Sequence, residues 1–147
     1  MENNLYYTPT IEEFHVGFEY EYNSSDKKHW TTCIIDKRDM TSSNMDWCSP
    51  NWIEDVFNQI ETNGVRVKTL DQSDIESLGW EEGTYNTIKG FIKNDKLLTI
   101  NYNYKTGPVV DISYFPMFKK QGLSRIFRGT IKNKSELIKL MQQLNIK

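Results

Sequence analysis

Tyr85 to Tyr104 reads YNTIKGFIKNDKLLTINYNY, and this stretch decides the fold. Its centre, Asn94-Asp95, is a two-residue turn of the kind that joins antiparallel strands. On the far side, Leu98, Ile100, Tyr102 and Tyr104 alternate with Thr99, Asn101 and Asn103. Side chains on a strand point to opposite faces in turn, so this alternation predicts a strand with one apolar and one polar face. The expected unit is a hairpin, Tyr85 to Lys93 followed by Lys96 to Tyr104.

Working outward, the same period recurs. Thr106-Gly107-Pro108 turns the chain, Val110, Ile112 and Tyr114 share a strand face, and Leu123 to Ile131 forms the last strand. Toward the N-terminus, Phe14, Val16, Phe18, Tyr20 and Tyr22 alternate with His15, Gly17, Glu19 and Glu21, which predicts a half-buried strand over 14–22. Asn23-Ser24-Ser25-Asp26 is turn chemistry, Trp30 to Ile35 is a second strand, and Val65 to Leu70 a short third.

Helices are few. Ser49-Pro50 ahead of Trp52, Ile53, Val56, Phe57 and Ile60 predicts a helix over about 50–61, and Asp71 to Leu78 a shorter one near 72–78. Asn133 and Glu136 open a third, near 134–145, whose Leu137, Ile138, Leu140, Met141 and Leu144 form one apolar stripe. The fold class is therefore α+β: mainly antiparallel sheet with short helices and a C-terminal amphipathic helix, expected as a single domain over 1–147.

The chain has 147 residues, of which 37% are apolar and 13% aromatic, so large rings do much of the burying. Met1-Glu2-Asn3-Asn4 lacks the basic-then-apolar pattern of a signal peptide, and no apolar run approaches the length of a membrane span. Cys33 and Cys48 are too few for a disulfide framework. A cytoplasmic protein with no membrane partner is expected.

The net charge of −2 hides an asymmetry: residues 1–82 hold 17 acids and 6 bases, residues 83–147 hold 3 acids and 12 bases. Such segregation marks either an anion-binding face or halves that attract each other, allowing self-association. A pI near 5.7 and no Lys/Arg helix face argue against DNA or RNA as partner.

No sequence pattern specifies catalysis. Glycine-rich phosphate loops and nucleophile elbows are missing. His29 and Cys33, four apart on a strand, are thin material for a metal site. No cofactor is expected. What remains is a basic final third next to aromatic residues. Lys119, Lys120, Arg125 and Arg128 can supply charge, while Trp47 and Tyr104 can supply rings, with Trp30 and Trp52 as further candidates. In a regular strand Arg125 and Phe127 share one face and Ile126 and Arg128 the other, so the two arginines need not cooperate. The polar stretch Asp36 to Ser49 reads as a long loop, often a functional one.

Three segments together carry a resemblance: Tyr6 to Glu21 (YYTPTIEEFHVGFEYE), Val65 to Asp71 with Asp74 to Trp80, and Phe127 to Leu137 (FRGTIKNKSEL). The chain resembles a group of small uncharacterised proteins of Bacteroidetes-type bacteria and their phages. The likeness runs in order through most of the chain and is loose over Asn23 to Ser49 and Phe115 to Leu123. It implies a cytoplasmic protein of phage or mobile-element origin, and the group has no established activity from which site residues carry over. The sequence-based expectation is a non-enzymatic accessory protein that sequesters or blocks a host defence factor or a small anionic, nucleotide-like ligand. The alternatives are an oligomeric, virion-associated structural protein, and a small hydrolase or metal enzyme using His29 and Cys33.

Overall fold

The computed structural model describes residues 5–23, 29–36, 58–62, 64–102, 107–115 and 122–147. It is α+β and mainly antiparallel sheet, and its chain contacts group into two compact units, Asn4–Lys68 and a second built on Thr69–Lys147.

The N-terminal unit holds β1 (Tyr6–Tyr7), β2 (Glu19–Asn23), β3 (Trp30–Ile34) and β4 (Val65–Lys68) in the order β1-β4-β2-β3. Every pairing is antiparallel, with Tyr6 opposite Lys68, Glu21 opposite Arg66, and Tyr20 opposite Cys33. The alternation in Val65-Arg66-Val67-Lys68 is realised: both valines are buried while Arg66 and Lys68 take the other face. Phe14, Phe18, Ile35, Val65 and Val67 form the core of this unit, with Tyr7, Tyr20 and Tyr22 packed against it. The rings of Phe14 and Phe18 are 5.1 Å apart and tilted, the offset geometry that aromatic quadrupoles favour.

The strand expected over 14–22 is shorter than its pattern. Ile11–Glu13 is a single 3-10 turn, held by the Thr10 N–H donating to Glu13 Oε2 at 2.8 Å. Gly17 then sits at φ +85, a conformation that costs a residue with a Cβ, and the strand begins only at Glu19. Phe14 and Phe18 are buried as the alternation requires, but Val16, on the turn, is exposed.

The C-terminal unit is a meander. β5 (Glu81–Tyr85), β6 (Ile88–Lys93), β7 (Lys96–Asn101), β8 (Val109–Tyr114) and β9 (Ser124–Thr130) lie in sequence order, each antiparallel to the next. The expected turn at Asn94-Asp95 is present, with Asn94 at φ 55. A second tight turn at Asn86-Thr87, with Asn86 at φ 56, divides the expected strand over 85–93 and adds β5. Asparagine tolerates this left-handed backbone better than most residues, which suits it to a two-residue hairpin loop.

Phe91, Leu98, Ile112 and Phe127 stand opposite one another across β6 to β9. They pack with Trp80, Val110, Ile131, Leu137, Leu140 and Met141 in a single core, so the C-terminal helix does cover one face of the sheet. Each fully buried Leu or Ile contributes about 1.5–3 kcal/mol of transfer free energy. Two helices complete the unit. In α1 (Gln72–Ser77), Asp71 Oδ1 accepts from the Asp74 N–H at 2.9 Å. In α2 (Lys134–Gln143), Asn133 Oδ1 accepts from the Glu136 N–H at 2.9 Å, and Glu136 reaches back to the N–H of Lys132 at 2.6 Å. One orphan amide of the α2 N-terminus, that of Glu136, is thereby satisfied.

Of the helix expected over 50–61, residues 58–61 are helical and 50–57 lie outside the described residues. The loop expected over Asp36 to Ser49 lies outside them beyond Asp36. No described helix is long and apolar enough to cross a membrane.

Candidate functional site

The last strand carries an extra residue. Asp111 pairs with Arg128 and Ile112 with Phe127, but Ser113 pairs with Arg125, so Ile126 is bulged out of the ladder between β8 and β9. A bulge shifts the side-chain phase by one position. The expectation that Arg125 and Arg128 occupy opposite faces is therefore corrected: the bulge returns both to one face, away from Phe127 and the α2 core.

On that face the two guanidinium groups meet one carboxylate. Arg125 Nε lies 2.8 Å from Asp111 Oδ2, and Arg128 Nη1 lies 3.9 Å from the same oxygen. The second distance is an electrostatic approach, too long for a hydrogen bond. Ser113 Oγ donates to the other oxygen, Asp111 Oδ1, at 3.3 Å. Both arginine side chains are more than half exposed, at 56% and 51%, whereas Asp111 is only 21% exposed. Among the described residues, two cations thus stand at the surface over a single, partly sheltered anion, a formal charge of +1 for the three.

Lys119, Lys120, Trp47 and Tyr104, the other residues expected to share an anion site, lie outside the described residues, as does Trp52. Asp111 was not singled out from sequence, although an acid inside the apolar run Val109-Val110-Asp111-Ile112 is a legible anomaly.

Trp30, a further ring candidate, packs against an arginine. It lies on the N-terminal sheet, where the guanidinium carbon of Arg66 is 3.9 Å from its ring and 3.8 Å from the ring of Tyr6. Arg66 Nε also donates to Glu21 Oε2 at 2.6 Å. Planar guanidinium groups stack on aromatic faces and hold carboxylates at their edges, and Arg66 does both. This is a self-contained structural cluster, its cation already occupied by two rings and an acid.

Metal chemistry gains nothing from the described residues: among them no three His, Cys, Asp or Glu side chains gather in a way that could hold an ion. His29 is exposed just ahead of β3, and Cys33 is half-buried within it.

No protein family, curated protein or solved structure matches the chain.

Proposed function

We propose that this is a non-enzymatic binding protein that captures a small anionic, nucleotide-like ligand at the exposed arginine pair of β9. The observation that carries this is the bulge at Ile126, which aligns Arg125 and Arg128 over one carboxylate. A bulge is an irregularity that re-aims side chains, and here the side chain re-aimed is a cation. One aspartate cannot neutralise two guanidinium groups. Arg128 in particular keeps its hydrogen-bonding capacity, because its nearest approach to Asp111 is 3.9 Å. Forked donors of this kind recognise phosphate oxygens in pairs.

The phage or mobile-element origin implied by the resemblance gives such a protein a place as an accessory factor in the cytoplasm of a host cell, where it would withhold an anionic ligand from host defence. The alternative of a self-assembling structural protein draws on the opposed charges of the two sequence halves.

Calorimetric titration with nucleoside mono-, di- and triphosphates at low salt tests the proposal. Binding is expected with at least one of them, weakened about tenfold or more by Arg125→Ala and by Arg128→Ala, as the loss of charge-assisted hydrogen bonds requires. No heat with any nucleotide removes the ligand class, and unchanged affinity in both variants removes the site. Salt-sensitive self-association in sedimentation, with no nucleotide bound, favours the structural alternative.

A further inference from the structure

We propose that Asp111 is a built-in competitor at the arginine pair, and that it selects phosphate dianions over carboxylates. This rests on the anion-binding proposal above and asks which anions the site admits.

Asp111 occupies the position a bound anion would take. Its Oδ2 lies 2.8 Å from Arg125 Nε and 3.9 Å from Arg128 Nη1, on a strand whose backbone places it directly opposite Arg128. Ser113 Oγ steadies its other oxygen. A tethered group of this kind acts at an effective concentration on the order of millimolar or above. A free monocarboxylate carries the same head group and the same charge, so it has nothing with which to displace the tethered one.

A phosphate dianion differs in two ways. It carries roughly twice the charge near neutral pH and presents three acceptor oxygens. The ion pairs to Asp111 use only Nε of Arg125 and Nη1 of Arg128, leaving the remaining guanidinium nitrogens outside any ion pair among the described residues. A dianion can engage those nitrogens as well, and with its second charge and third oxygen it can displace Asp111 Oδ2 from the pair where a monocarboxylate cannot. Asp111 therefore lowers affinity for every anion but lowers it most for those with one charge, and it keeps both guanidinium groups positioned when the site is empty.

The test uses inorganic phosphate and acetate as ligands, at low ionic strength and mildly alkaline pH, with the arginine side-chain NMR signals of the full chain as readout. Four proteins are compared: wild type, Asp111→Asn, Asp111→Thr and Glu81→Gln. Threonine suits a strand and supplies a second variant should asparagine impair folding. Glu81→Gln removes the same charge from β5, the strand at the opposite edge of the sheet, and controls for net charge. Wild type is expected to bind phosphate and not acetate. Both Asp111 variants should bind phosphate about fivefold more tightly, the upper end of what an exposed ion pair is worth, and should acquire a response to acetate. Glu81→Gln should match wild type.

Phosphate binding by wild type that stays equal or weakens in both Asp111 variants overturns the competitor role and leaves the anion site standing. An equal gain in Glu81→Gln overturns it also, since the effect is then one of overall charge. Arginine signals unmoved by phosphate in all four proteins remove the anion site itself, and the competitor with it.

Discussion

Arg66 and Glu21 face each other across β4 and β2 with Nε and Oε2 2.6 Å apart, each less than one-third exposed. The pair gains from its setting, because the Tyr6 and Trp30 rings flank the same guanidinium. Exposed ion pairs are worth about 0–1 kcal/mol, and a stacked cation adds about 0.5–1 kcal/mol or more. Glu21→Gln is accordingly expected to lower stability by under about 1 kcal/mol, and Arg66→Ala by about 1–2 kcal/mol. Arg66→Lys should restore only part of the loss, because an ammonium keeps the charge but has no planar fork. Urea midpoints followed by tryptophan fluorescence measure all three.

The core of the C-terminal unit should respond more strongly. Leu137 is fully buried in α2, and Leu137→Ala is expected to cost about 2–5 kcal/mol through the cavity it leaves. Trp80 Nε1 donates to Met141 Sδ at 3.4 Å within the same core. Met141→Leu keeps the volume but removes that acceptor, so a loss below about 1.5 kcal/mol is expected. Thermal melts should rank the two in that order, and the reverse order would place the weight of the core elsewhere.

Turn residues offer a sharper contrast. Asn86 and Asn94 hold positive φ in the two hairpin loops. Replacing either by glycine should leave stability within about 1 kcal/mol, whereas a valine there should cost about 1–2 kcal/mol or more. Gly90 is the opposite case: its φ is ordinary, but a Cβ would lie 2.5 Å from the Leu98 carbonyl oxygen. Gly90→Ala is expected to open the β6–β7 ladder, visible as faster amide exchange at Leu98 and Phe91.

Acid stability follows from Asp95. A hydrogen bond from Lys96, at 2.6 Å, holds its carboxyl below the ordinary value of 3.8. A carboxyl depressed in the folded state contributes stability that is present above its unfolded value and is lost as the pH falls through its folded one. Wild type should therefore exceed Asp95→Asn slightly at neutral pH, with the difference shrinking toward zero under acid. Denaturation midpoints measured from neutral pH down past the carboxylate range check this, and a difference that grows on acidification contradicts it.

The parts of the fold that were legible in sequence are those in which one local rule decides. Lys134–Gln143 is a helix because a capped start leads into one apolar stripe, and Asn94-Asp95 turns because both flanking runs alternate. What escaped depended on partners distant in sequence. Tyr6–Tyr7 is too short to carry a period, and Glu81–Tyr85 has no apolar alternation, since it becomes a strand through pairing with β6. The alternation over 14–22 was partly misleading because Gly17 spends one of its steps on a turn. For the arginine site, the residues were legible and their geometry was not. Alternation placed Arg125 and Arg128 on opposite faces, and only the register with β8 reveals the extra residue at Ile126.

The sequential order of β5 to β9 also bears on how the molecule acquires its shape. Each of those strands meets a partner that is its immediate neighbour along the chain, so ordering it costs little loop-closure entropy. In the other unit β4 must travel from residue 65 to insert between β1 and β2, a contact of much larger sequence separation. The meander should therefore assemble first, hairpin by hairpin, although it is synthesised last, while the N-terminal sheet waits for β4 to close it.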